Sequence, residues 1–359
     1  MPDEPAEEGL NVAIAGATGA VGLELLRVME ARDFPVAELR LLASARSAGK
    51  TLSFRGAEHT VEELTAGSFD GVDVALFSAG GSQSKAFAQA AVDAGAVVID
   101  NSSAFRMTDG VPLVVPEVNP EAISEAGIGL KRGGGTPGII ANPNCSTILM
   151  LMVLTPIHRV SPVRRAVVAT YQAASGAGLA AMRELEQQTR EALDDADGRA
   201  TTMDVFGRQY AFNLFSHNSP MLEHGLNEEE QKMVQETHKI WGQLDAPEAE
   251  RTGVAVTCVR VPVMRAHAEA VNLTLAEPMD AARARELLSQ APGVVVQDDR
   301  AGNRFPEPLE AAGRDEVYVG RIREDPTQPG GVGLSLFLCG DQVLKGAALN
   351  AVQIAELLQ

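Results

Sequence analysis

The residues with the clearest chemical potential lie in Asn142-Pro143-Asn144-Cys145-Ser146-Thr147. The stretch joins an extended apolar segment, Gly138-Ile139-Ile140-Ala141, to a long apolar run that begins at Ile148. Cys145 is thus expected where a strand passes into a helix. Backbone N–H groups without intrahelical partners and the positive end of the helix dipole favour thiolate over thiol there, and the thiolate is the nucleophile. Cys145 is therefore the candidate for covalent catalysis, with Asn144 beside it as a candidate to stabilise an oxyanion. A lone cysteine is more often a small core hydrophobe. Cys258 and Cys339, inside apolar strand-like runs, take that reading, whereas polar Asn144, Ser146 and Thr147 set Cys145 apart.

A second constellation is Cys258-Val259-Arg260-Val261-Pro262-Val263, followed by Arg265-Ala266-His267. An arginine can fork onto a carboxylate with two parallel hydrogen bonds, and a histidine near a thiolate can move protons. On one strand, Arg260 and His267 would reach a common cleft only across a bend, which Pro262 could supply. A third is Gly16-Ala17-Thr18-Gly19-Ala20-Val21-Gly22, lying between a short strand pattern and a helical one. That context suits a dinucleotide: glycines let the backbone approach the pyrophosphate, and the helix N-terminus stabilises its charge. The spacing is GxxGxxG rather than GxGxxG, so the context carries the reading. At the end of the next strand, where an acidic residue would hold a ribose 2′-hydroxyl, stand Ser44-Ala45-Arg46-Ser47. Arg46 and the two hydroxyls would bind a 2′-phosphate, which favours NADP over NAD.

Two kinds of element must position these groups. Up to Asp100, short apolar strands (Asn11–Ala15, Leu39–Ala43, Val72–Phe77, Ala96–Asp100) alternate with helical spacing, as in parallel βαβ units. Beyond Cys145, strand-like runs (163–171, 253–263, 268–275, 333–338) and charged helices (178–197, 227–241) no longer alternate strictly, which predicts an α+β second domain. Residues 347–358 are again helical and could return to the first domain. The 359 residues suit two domains, and a net charge of −18 argues against nucleic acid and anionic membrane surfaces. Three scattered cysteines suggest a reducing compartment without disulfides. The histidines form no metal-ligand spacing, so no metal is expected. Residues 1–9 are acidic and are expected to form a disordered tail on a cytoplasmic protein.

Taken together these motifs resemble the aspartate-semialdehyde dehydrogenase family. The resemblance extends over nearly the whole chain and also takes in Asp100-Asn-Ser-Ser-Ala-Phe-Arg106, Tyr171-Gln-Ala-Ala-Ser-Gly-Ala-Gly178 and Lys345-Gly-Ala-Ala-Leu-Asn350. It implies an α/β fold: a Rossmann-type parallel-sheet domain at 10–144, completed by 340–359, and an α+β catalytic and dimerisation domain at 145–339. It implies that Cys145 is the nucleophile, His267 the general acid/base, Gln172 the residue that orients the substrate and Arg260 the clamp on its α-carboxylate. Glu229 would contact the substrate amino group, and Lys232 with Arg106 would form the phosphate site. Thr18, Gly19, Ala20, Val21, Arg46, Ser47, Ser175 and Gly176 fall on NADP-contacting positions, joined by Gly16, Gly22 and Ser44 of the same two turns. Gln342, also implied to be cofactor-binding, stands where the family often has Asn, and Leu344 where many members have Arg. The implied reaction reduces β-aspartyl phosphate with NADPH to aspartate β-semialdehyde, towards lysine, threonine and methionine, in a homodimer. An N-acetyl-γ-glutamyl-phosphate reductase and a non-catalytic NADP-binding paralogue remain as alternatives.

Overall fold

The computed structural model describes residues 9–359. The expected tail at 1–9 lies, apart from Gly9, outside the described residues. The described residues divide into two compact units, one of residues 9–143 with 347–359 and one of residues 144–346.

The first unit is built on a sheet of β1 (Leu10–Ala15), β2 (Val36–Ala43), β3 (Thr51–Phe54), β4 (Ala57–Glu63), β5 (Val74–Phe77), β6 (Val97–Asp100) and β7 (Ile139–Ala141). Their order across the sheet is β3-β4-β2-β1-β5-β6-β7. All neighbours are parallel except β3 and β4. β5 and β6 are buried along their whole length and β1 nearly so, as apolar strands without polar alternation should be when helices cover both faces. Helices α1 (Ala20–Ala31), α2 (Gly81–Ala94) and the short α3 (Glu121–Glu125) connect them. The β3–β4 hairpin turns at Arg55 and Gly56, both at positive φ (50° and 76°). An Arg-Gly pair carries little of the Asn-Gly signal for such a turn, so the hairpin is illegible in the sequence. The last helix of the chain, Leu349–Glu356, packs on α1 and β6. Its Asn350 Nδ2 donates to the carbonyl of Val114 and to Asn142 Oδ1.

The second unit begins with α4 (Cys145–Val160), whose residues from Ser146 to Thr155 are all buried. A helix apolar all round belongs in a core. It lies against a sheet ordered β12-β13-β14-β11-β8-β10-β9, formed by β8 (Val163–Gln172), β9 (Phe215–Ser216), β10 (Gly253–Arg260), β11 (His267–Leu275), β12 (Val294–Val296), β13 (Val317–Glu324) and β14 (Gly333–Gly340). The sheet is mixed: β8 is parallel to β10 and β12 to β13, while the other neighbours are antiparallel. Helices α5 (Leu179–Asp194), α6 (Glu228–Ile240), α7 (Ala281–Ser289) and α8 (Pro308–Ala311) complete the unit. One expectation needs correction. Arg260 and His267 do not meet across a bend in one strand; β10 stops at Arg260, the connection passes to β11, and β8 lies between the two strands. Pro262 has no N–H for a ladder, and Ala266 sits at φ 72°, off the extended conformation.

Candidate active site

Asn144 caps α4. Its Oδ1 accepts from the N–H of Ser146 at 3.0 Å and of Thr147 at 3.3 Å. Two of the helix N–H groups expected to face the Cys145 sulfur are therefore already bonded, and the helix dipole is the part of that expectation that stands. Asn144 Nδ2 donates to Glu229 Oε1 at 2.7 Å, so this amide is a cap and a tether before it is an oxyanion donor. Cys145 is in no disulfide and is partly exposed. A Cβ on Gly346 would stand 2.7 Å from that of Cys145, so only glycine fits behind the cysteine.

Strand register assembles the rest. Arg260 of β10 pairs with Gln172 of β8. On the other side of β8, Ala268 pairs with Tyr171, which brings His267 beside Gln172. Arg260, Gln172 and His267 therefore form one row on the buried face of the sheet. Gln172 Nε2 donates to Ser146 Oγ at 2.9 Å and to Glu229 Oε1 at 3.2 Å, which ties the row to the first turn of α4 and to α6. The peptide of Ala173 locks both flanks: its N–H donates to His267 Nδ1 at 3.0 Å and its carbonyl accepts from Arg260 Nη1 at 3.1 Å. Because Nδ1 accepts a hydrogen bond, a neutral His267 carries its proton on Nε2, and that buried Nε2 has no partner. Burial, then the nearby Arg260, hold the His267 pKa well below the ordinary value, so the ring is neutral. A Cβ on Gly176 would come within 3.0 Å of His267 Nε2 and 3.2 Å of Arg260 Nη1; the glycine leaves room where the two side chains converge.

Glu229 faces this row from α6. Burial would favour its neutral form, but His217, Lys232 and the hydrogen bonds from Asn144 and Gln172 outweigh it and hold the pKa at about 2. Lys232 Nζ lies 3.5 Å from Glu229 Oε2. Gln342 Oε1 accepts from Ala266 N–H at 3.0 Å and its amide bonds to Ser175 Oγ, so it braces the turn before His267. Three further residues of the site carry no local signal. Asn218 Oδ1 accepts from Arg260 Nε, Ser219 Oγ accepts from Glu229 N–H, and His217 lies beside both charges. They sit in a short polar connection without a motif, visible only once β9 is paired.

The first unit carries the other expected contacts. Gly16 is at φ 91°, and a Cβ there would lie 2.6 Å from the Ser78 carbonyl oxygen; a Cβ on Gly22 would lie 2.3 Å from that of Gly16. Gly19 caps α1 without any side-chain hydrogen bond, so no side chain competes for the N–H groups of the first turn, where Ala20 and Val21 stand. Thr18 Oγ1 donates to Ser47 Oγ at 3.4 Å, and Ser44 and Arg46 are exposed on the same turn. A tight glycine turn, an uncapped helix and an exposed Arg beside hydroxyls fit a dinucleotide with a 2′-phosphate. Arg106 is buried in this unit, with Nε donating to the Asn142 carbonyl and Nη2 to that of Asn101. Among the described residues no group of His, Cys, Asp or Glu is arranged to hold a metal ion, and no helix is long and apolar enough to cross a membrane.

Residues 11–126 match the family model of the semialdehyde dehydrogenase NAD binding domain, and residues 154–345 that of the semialdehyde dehydrogenase dimerisation domain. An aspartate-semialdehyde dehydrogenase of Synechocystis is 52% identical over 97% of both chains. The crystal structure of aspartate semialdehyde dehydrogenase II of Vibrio cholerae, complexed with ASA, superposes with a TM-score of 0.89 at 45% identity and covers 98% of each chain. The Candida albicans enzyme, solved with NADP, gives a TM-score of 0.74 at 25% identity, covering 98% of each chain. With both domains matched and relatives of this identity along the whole length, the chain belongs to the aspartate-semialdehyde dehydrogenase family.

Proposed function

We propose that this protein is a phosphorylating, NADP-dependent dehydrogenase that interconverts β-aspartyl phosphate and aspartate β-semialdehyde through a thioester on Cys145. It would work as a homodimer in the cytoplasm, on the route to lysine, threonine and methionine. The observation that carries this reading is the bond from Gln172 to Ser146: it fixes the Arg260–Gln172–His267 row against the helix turn that begins with Cys145. In the reductive direction the Cys145 thiolate attacks the acyl carbon, a C–S bond forms and phosphate leaves. NADPH, when bound on the glycine turn, supplies the hydride that reduces the thioester carbon. His267, neutral here, donates a hydrogen bond from Nε2–H to the carbonyl oxygen and so stabilises the negative charge that builds there until the C–S bond breaks and the aldehyde is released. Arg260 would fork onto the α-carboxylate and the anionic Glu229 would receive the ammonium, which places the reacting carbon by its two charged substituents. Lys232 and Arg106 are each proposed as phosphate-binding residues, and Ser175 and Gly176 as cofactor-binding ones.

An N-acetylated γ-glutamyl phosphate offers no ammonium to Glu229, which is why the aspartyl substrate is preferred. Phosphate-dependent NADPH formation from aspartate β-semialdehyde tests the reading directly. Rapid turnover is expected; faster reduction of N-acetyl-γ-glutamyl phosphate than of β-aspartyl phosphate would sink it. The dimer would use the sheet face that carries Tyr171, 37% exposed and in tilted contact with Phe337.

A further inference from the structure

His217 is a titratable side chain within the site that the reaction above leaves without a task. It follows β9 directly. Arg260 pairs with Phe215 and Val259 with Ser216, and His217 N–H donates to the Cys258 carbonyl at 2.9 Å. That register sets His217 opposite Cys258, on the same sheet face as Arg260, because opposed residues in an antiparallel pair project to one side. The next two residues are tied to the binding groups. Asn218 Oδ1 accepts from Arg260 Nε at 3.1 Å, and Ser219 Oγ accepts from Glu229 N–H at 3.2 Å. The ring itself is oriented by Ser219, whose N–H donates to His217 Nδ1 at 3.2 Å and whose Oγ lies 3.1 Å from the same atom. With Nδ1 accepting, the neutral ring carries its proton on Nε2, turned away from Ser219, and no partner for it appears among the described residues. Burial and Arg260 press the ring pKa down to about 4, Glu229 pulls it up and Lys232 adds to the depression, so at neutral pH His217 is an uncharged donor.

We propose that His217 is a further substrate-binding residue, whose Nε2–H donates to the α-carboxylate that Arg260 clamps. The assignment rests on the substrate reading above. It adds a third anchor, beside Arg260 and Glu229, to the amino-acid end of the substrate, leaving Lys232 to the phosphate. The test uses the full-length enzyme, assayed with aspartate β-semialdehyde, phosphate and NADP. His217→Asn keeps an acceptor for Ser219 N–H but removes the distal donor. His217→Gln puts an amide N–H about where Nε2 stands. For the Asn variant the KM for semialdehyde is expected to rise about tenfold, while kcat changes less than about threefold and the KM for phosphate and the melting temperature hold. For the Gln variant the semialdehyde KM should return to within about threefold of wild type. An unchanged semialdehyde KM in a folded Asn variant, a rise confined to the phosphate KM, or a Gln variant as impaired as the Asn one would each overturn the assignment. Wild-type turnover is the control: if the unaltered enzyme failed to oxidise the semialdehyde, the functional reading would fall and this assignment with it.

Discussion

On the proposed reading the glycine turn of the first unit and the Arg260–Gln172–His267 row of the second each hold an anion, and they are built by opposite means. At the turn the backbone does the work. Gly16 takes a positive φ, Gly22 lets helix and turn close up, and α1 starts without a side-chain cap. Everything needed lies within seven consecutive residues. In the row, side chains do the work, and they come from far apart: Gln172, Arg260 and His267 on three strands, Glu229 on a helix, Cys145 at the start of another. Even the capping differs. α4 has its first N–H groups taken by Asn144, whereas α1 leaves them to a ligand. A site made of backbone is sensitive to any side chain added to it. A site made of side chains is sensitive to their removal, with the fold largely indifferent.

The largest expected effect comes from the row. Cys145→Ser should lower kcat by about a thousandfold or more, since a hydroxyl there is a far weaker nucleophile, while NADPH binding measured by fluorescence titration stays within about threefold. Wild-type turnover in the Ser variant would end the covalent reading. Arg260→Lys should lower kcat/KM for the semialdehyde about a hundredfold, because a point charge cannot replace the planar fork braced by Ala173 and Asn218; a loss under threefold would remove Arg260 from the carboxylate.

The turn should fail differently. Gly16→Ala forces a side chain to φ 91° and 2.6 Å from a carbonyl oxygen, at a cost of about 2–4 kcal/mol. NADPH affinity and the melting temperature should fall together, while Cys145 in the variant that remains folded alkylates at the wild-type rate. If stability were untouched, the contrast between backbone-built and side-chain-built sites would lose its footing.

A buried carboxyl behind the row sharpens the contrast further. Glu269 is fully buried and neither of its oxygens has a hydrogen-bond partner. Burial raises its pKa well above the ordinary value. The fold therefore keeps it protonated where the unfolded chain, with a pKa of about 4.3, ionises. The stability this brings is complete below that pH and is lost as pH rises towards the folded-state pKa, by up to about 1.4 kcal/mol per pH unit. Glu269→Gln should flatten that segment of the stability profile in denaturant titrations from pH 4 upwards; an unchanged slope would mean the carboxyl is ionised in the fold. The smallest effect is expected at the exposed Arg46. Arg46→Ala should shrink the preference for NADP over NAD by about tenfold at most, and equal discrimination in variant and wild type would take the 2′-phosphate away from it.

Local signals in the sequence reached as far as local structure did. Gly16, Gly19 and Gly22 announced a strand–turn–helix because strand, turn and helix are contiguous. Asn144-Cys145-Ser146 announced a helix start for the same reason. Arg260 and His267 could be nominated by residue type, but the path proposed between them was wrong, since β8 is inserted between their strands. His217, Asn218 and Ser219 had no local signal at all. Their meaning comes from β9 pairing with β10, which lies far along the chain, and from the N-terminus of α6, which returns to them only after an intervening loop.

By itself, then, the sequence determined what is written in short-range order: which cysteine begins a helix, which glycines lie between a strand and a helix, and where the alternating βαβ pattern gives way. The tertiary structure alone decided which nitrogen of His267 keeps the proton, that the Asn144 amide is bound to Glu229, and that Arg260, Gln172 and His267 share a row. The physical reason is strand register. One residue of slip would turn each of those side chains to the opposite face of the sheet, and register is fixed by packing along the whole strand rather than by the residues that do the chemistry.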